Sequence, residues 1–139
     1  MAVLRPSGAR DSTVPFFKGE VMSKANLIKR ADALFAAWFH EEYAICAIEG
    51  CNNPCEQAHL IPRGNHLFRW EKLNNLPLCS FHHKDSKLLS CHGAPEAFED
   101  WLCENRPEEY YFWEHNRHTI GVSLTEDFYR QKIEELKLL

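Results

Sequence analysis

The segment CAIEGCNNPCEQAHLIPRGNHLFRWEKLNNLPLCSFHH, residues 46–83, gathers four of the chain's six cysteines and four of its eight histidines. Such a density permits three structures: a disulfide framework, a metal site or a catalytic centre. The opening residues MAVLRPSGARDSTVPFFKG lack the apolar stretch of a signal peptide. The default expectation is therefore a cytoplasmic protein, where disulfides are disfavoured. That leaves metal ligands or buried thiols as the expected use of the cysteines. Cys46 and Cys51 form C-x4-C, and Cys79 and His82 form C-x2-H. Two short-spaced pairs separated by a loop are how a chain builds a tetrahedral zinc site. Thiolate and imidazole suit zinc better than magnesium or calcium. Cys55 is an alternative to Cys46 in the first pair, and Cys91 and His92 are candidates for a later ligand.

The rest of the chain supplies a frame for this segment. Residues 1–22 are rich in Pro, Gly, Ser and Arg and read as a flexible arm, with Met22 as an alternative start. The remainder, 23–139, reads as one domain. Ser23 caps an expected helix from Lys24 to Glu42, with Leu27, Leu34, Phe35, Trp38 and Phe39 at helical spacing on a core face. Short strands are expected near Glu56–Ile61 and Leu76–Leu78, followed by a helix from Cys79 to Leu88. Pro95 opens another helix to Glu104. PEEYYFWEHNR begins a further one, its aromatics expected in the core. Ser123-x-x-Glu126 is a capping box for a last helix to Leu138. Apolar residues make up 45% of the chain, enough to fold, yet no run approaches a membrane span.

With the quartet set aside, His59, Asn74 and His83 remain, on Ala58-His59-Leu60-Ile61-Pro62 and Asn74-Asn75-Leu76-Pro77-Leu78-Cys79-Ser80-Phe81-His82-His83. The order CAIEGC, AHLIP, NNLPLCSFHH resembles the HNH endonuclease family. The run RGNHLFRWEKLNNLPLC is also similar, to a lesser degree, to NinG-type phage recombination nucleases. The HNH resemblance implies an α+β fold: a zinc-stabilised ββα-metal core over about residues 43–90, with additional N- and C-terminal helices. It implies a metal-dependent endonuclease acting on DNA. His59 would be the general base, activating water against a phosphodiester. Asn74, or its neighbour Asn75, would hold the loop carrying His59. His83 would bind a catalytic Mg2+ or another divalent metal, distinct from the structural Zn2+ on Cys46, Cys51, Cys79 and His82.

One position departs from the family pattern. The residue before the base is commonly a second metal ligand, and here it is Ala58. Asp85, His66, or water and the DNA phosphate are the expected replacements. Arg63, Arg69, Lys72, Lys84 and Lys87 are candidate contacts to DNA phosphates. The net charge of −4 is unlike that of a typical nucleic-acid binder, but the acids are unevenly placed. Residues 93–139 hold eleven acids against five bases, whereas residues 41–92 hold six against five. A near-neutral motif face can therefore meet phosphate if the acidic third folds away from it. The alternative reading is a non-catalytic zinc-binding module that binds nucleic acid or protein, for instance in a phage assembly. His40, His115 and His118 lack any such context and are expected at the surface.

Overall fold

The computed structural model describes residues 22–139; the arm expected over residues 1–22 lies outside them except for Met22. The architecture is α+β, four α-helices and one small antiparallel sheet among the described residues. Two compact units are present among the described residues: one comprises residues 22–35 with Thr125–Leu139, the other Ala36–Leu124.

In the first unit, α1 (Lys24–Glu42) begins where Ser23 Oγ accepts the Asn26 N–H at 3.2 Å. A serine here satisfies one of the amides that a helix start leaves without a partner. The helix continues into the second unit. Its buried stripe is Leu27, Ala31, Phe35 and Phe39, four residues apart each time. Leu34 and Trp38, expected with them, are only half-buried because they lie beside that stripe. The other helix of this unit, α4 (Glu126–Leu136), buries Tyr129, Ile133 and Leu136. Its cap is Thr125, whose Oγ1 accepts the Phe128 N–H at 3.3 Å, and not the expected Ser123. Thr125 is the last extended residue before the helix, so Ser123 lies two residues too early to reach it.

The second unit holds the Cys/His segment. A tight hairpin, bridged at Ile45 and Pro54, turns through Gly50 at φ 82°. That left-handed angle suits glycine and strains other residues. Strand β1 (Glu56–His59) pairs antiparallel with β2 (Asn75–Leu78), setting Ala58 against Leu76 and His59 against Asn75. A 3-10 turn at Lys72–Asn74 leads into β2. Ala58, Leu76 and Leu78 are fully buried and pack with Cys46, Cys79, Phe98 and Leu102. The last two come from α2 (Pro95–Asn105). Helix α3 (Pro107–Asn116) packs on α2 and the 3-10 turn.

Two expectations need correction. The helix expected over Cys79–Leu88 is a five-residue π-turn, Phe81–Asp85, closed by Ser86 N–H to Phe81 C=O at 2.9 Å. Ser86 ends it because its backbone is extended and its Oγ accepts the Leu88 and Leu89 amides instead. The aromatics of α3 are core only in part: Tyr110 packs against the core cluster and Phe112 meets the Phe68 ring, but no residue of the helix is fully buried and Tyr111 is 60% exposed. Only one side of α3 meets α2 and the 3-10 turn, and its aromatics run around the whole helix.

Candidate functional site: a Cys/His metal centre beside a histidine cleft

The hairpin and the π-turn bring Cys46, Cys51, Cys79 and His82 together. One ligand atom from each lies within 4.8 Å of all the others. Cys79 Sγ is 3.3 Å from His82 Nδ1, Cys46 Sγ is 3.6 Å from the same nitrogen, and Cys51 Sγ is 3.8 Å from Cys79 Sγ. The sulfur separation is nearly twice a disulfide bond, and all six cysteines are free thiols. Four soft and borderline donors converging from two knuckles can hold a metal ion such as zinc. Burial pushes the Cys46 thiol up to about 11. Burial acts in the same direction on Cys79, but hydrogen bonding from the His82 amide and the neighbouring Cys51, Cys46 and Asn53 side chains outweighs it and lowers that thiol. The alternative ligands lie elsewhere. Cys55 donates to Tyr43 C=O at 3.6 Å, and Cys91 lines the neighbouring cleft, its thiol pushed up to about 11 by burial.

Beside this centre lies a cleft of about 640 Å³ whose walls include His59, Arg63, His83, His92, Glu99 and Trp113. His59, at the end of β1, places Nε2 3.2 Å from Arg69 C=O. A carbonyl only accepts, so Nε2 carries the proton in this contact and Nδ1 keeps a basic lone pair. His83 places Nδ1 2.6 Å from Glu56 Oε1. That bond, ahead of the partly opposing effect of burial, lowers the Glu56 carboxyl, with His83 and Lys84 charges adding to it. With Nδ1–H donated to the carboxylate, His83 Nε2 is the nitrogen left to accept. Adjacent residues thus serve different places: His82 turns to the cysteines and His83 to the cleft.

Asn74 is completely buried behind this wall. Its Oδ1 accepts the Ile61 N–H at 2.7 Å, and its Nδ2 donates to Ile61 C=O at 3.2 Å and Phe68 C=O at 2.9 Å. These bonds clamp both ends of the 61–68 loop that follows His59. Asn75, paired across the sheet with His59, donates to Arg69 C=O and Glu71 C=O. Asn74→Ala strands two buried backbone groups and a partly buried third, so a loss of about 3 kcal/mol is expected. Urea unfolding measures it. A loss below about 1 kcal/mol means the loop is held by other contacts.

The remaining sequence-selected residues scatter. Asp85 is exposed at the end of the π-turn and is absent from the cleft wall. His66 meets Arg69 and Trp70, also away from that wall. Arg69 donates to Arg63 C=O at 3.4 Å, and Lys72 lies over the Trp38 ring at 4.7 Å. Lys84 is 3.8 Å from Glu56, and Lys87 is exposed. Trp70 is buried. His40, His115 and His118 are at the surface. Glu56 and Glu99 were not among the residues singled out from the sequence. Their carboxylates gain meaning only from pairing and packing, which leave no spacing signal.

Among the described residues no helix is long and apolar enough to cross a membrane. The Cys/His quartet is the one group of three or more potential ligands found close enough to share an ion among those residues. No family model, curated protein or solved structure matches the chain.

Proposed function

We propose that this chain is an HNH-type, metal-dependent endonuclease that hydrolyses DNA phosphodiester bonds. The observation that carries the reading is the shared cleft of His59 and His83, set against the Cys/His quartet. In this reading zinc occupies the quartet and fixes the hairpin to the π-turn. His59 Nδ1 takes a proton from water as the water attacks phosphorus, while Arg69 C=O holds the ring in that tautomer. Asn74 keeps the loop behind His59 in place. His83 Nε2, oriented by Glu56, is the donor for a divalent ion. Its donor chemistry fits such an ion. When bound, that ion supplies Lewis-acid stabilisation of charge on the leaving oxygen. Arg63 lines the cleft, and in this reading its guanidinium meets a phosphate.

Nicking of supercoiled plasmid tests the reading, with Mg2+, Mn2+, Ni2+ and Zn2+ supplied in turn. Cleavage with at least one ion, lost in His59→Ala, is the expected result. No cleavage with any ion favours the second reading, a non-catalytic zinc module. The complete burial of Ala58, which offers no ligand to the cleft, is the observation on that side.

Salt dependence locates the DNA surface. Binding through Arg63, Arg69 and Lys84 should weaken steeply as salt rises. Alanine at any one of them should reduce the slope of log K against log salt by about one contact. An unchanged slope in all three variants moves the binding surface off this face.

A further inference from the structure

We propose that His92 is a second imidazole ligand, beside His83, for a divalent transition-metal ion in the cleft. It would take the part of the ligand that Ala58 cannot supply. The inference refines the proposed catalytic metal and rests on that reading only for its catalytic meaning; the binding site itself stands on geometry.

The His83 and His92 ring centroids are 4.9 Å apart, with planes inclined by 42°. Two imidazoles on adjacent corners of one ion, each with a metal–nitrogen bond of ~2.1 Å, place their centroids ~4.6–5.3 Å apart. The pair therefore stands at a separation that one ion can bridge, and its tilt is not that of a flat stack. Both rings line the same cleft. His83 has its Nδ1 engaged by Glu56 and only Nε2 left to give. The His92 side chain makes no hydrogen bond to another described residue.

The backbone is arranged to bring His92 there. After the π-turn the chain doubles back, and Cys91 N–H and His92 N–H donate to the carbonyls of His82 and His83 at 3.0 and 2.9 Å. The returning loop is pinned from inside. Ser90, fully buried, donates through Oγ to Ser86 C=O at 2.7 Å and accepts the Gly93 N–H at 2.8 Å. At Gly93 a Cβ would lie 2.5 Å from Ser86 O and 2.9 Å from Lys84 O, both backbone atoms, so the loop closes only with glycine. Of the residues in this loop the Cys/His quartet uses only His82, through its ring, while the loop bond is to its backbone carbonyl. Two imidazoles also set the metal preference: nickel, cobalt or zinc over manganese, magnesium or calcium, which favour oxygen.

The experiment titrates Ni2+, and separately Mg2+, into the full chain already loaded with zinc, by calorimetry. Zinc content and melting temperature are read in parallel. Wild type should bind one Ni2+ beyond its zinc, and Mg2+ far more weakly. His92→Ala should weaken Ni2+ binding at least tenfold while retaining zinc and melting temperature. Glu56→Gln should weaken it about tenfold, as loss of an outer partner does. Gly93→Ala, which displaces the loop without removing a ligand, should also weaken it. Ni2+ affinity unchanged in His92→Ala overturns the inference, as does Mg2+ binding as tight as Ni2+. Plasmid nicking separates this from the nuclease reading. An ion bound as described with no DNA cut sinks the nuclease and keeps the site. DNA cut with His92→Ala binding Ni2+ normally does the reverse.

Discussion

Removing the ion from Cys46, Cys51, Cys79 and His82 with a strong chelator is expected to unfold residues from about 43 to 90. The apolar content of that stretch cannot hold it alone. Its sheet is two strands of four residues, and two-stranded pairs are marginal in water. Its π-turn is five residues long. A structural zinc contributes on the order of 10 kcal/mol in small modules. Protein purified without chelator should contain one zinc per chain. Cys79→Ser, which removes one ligand, is expected to cost about 4 kcal/mol, or ~12 °C in Tm for a chain of this length. The Cys46 thiol is pushed up to about 11 by burial. Ligation must displace its proton, so zinc affinity should rise with pH and fall in acid. Protein that holds no zinc, or whose melting ignores the chelator, would count decisively against the metal centre.

The second large effect separates two neighbouring histidines. His82→Ala should lower Tm by ~10 °C, because it removes a ligand from the structural ion. His83→Ala should melt within a few degrees of wild type and abolish nicking, because only the cleft ion loses its donor. His59→Ala should also leave Tm nearly unchanged and reduce nicking by about 10²–10⁴-fold, the usual worth of a positioned base. Its residual rate should climb with pH, as hydroxide replaces the missing base. The measurement is paired, Tm and nicking rate for each variant. Early melting in His83→Ala with a stable His82→Ala assigns the two residues the other way round. Loss of stability in both with activity untouched ends the nuclease reading.

What the sequence disclosed follows from where the physics is local. The quartet was legible because C-x4-C and C-x2-H each fit on one turn, and the intervening loop only has to close. The α1 boundaries were legible because a capping serine and an apolar stripe are both short-range signals. The π-turn was not: its end depends on Ser86 Oγ accepting the Leu88 and Leu89 amides and on Ser90 Oγ donating to Ser86 C=O. Glu56 was missed because it reaches His83 across 27 residues, a pairing no spacing encodes. His92 was noticed only as a spare ligand for the zinc. Its actual neighbour, His83, is set by a chain reversal that Gly93 makes possible by lacking a side chain. The half-buried aromatics of α3, with Tyr111 exposed, show the opposite failure, in which composition suggested a full core and the neighbouring elements covered only one side.

The two knuckles of the quartet also change what the chain is as a polymer. With an ion bound, Cys51 and Cys79, 28 positions apart, are tied together and the stretch between them becomes a ring. Closing a ring of that size removes roughly 3.5 kcal/mol of freedom from the unfolded chain by the cross-link estimate. A ring also survives a single cut. A backbone break among residues 63–66 would leave two fragments still joined through the ion, and the same chelator that melts the intact chain would release them as separate pieces.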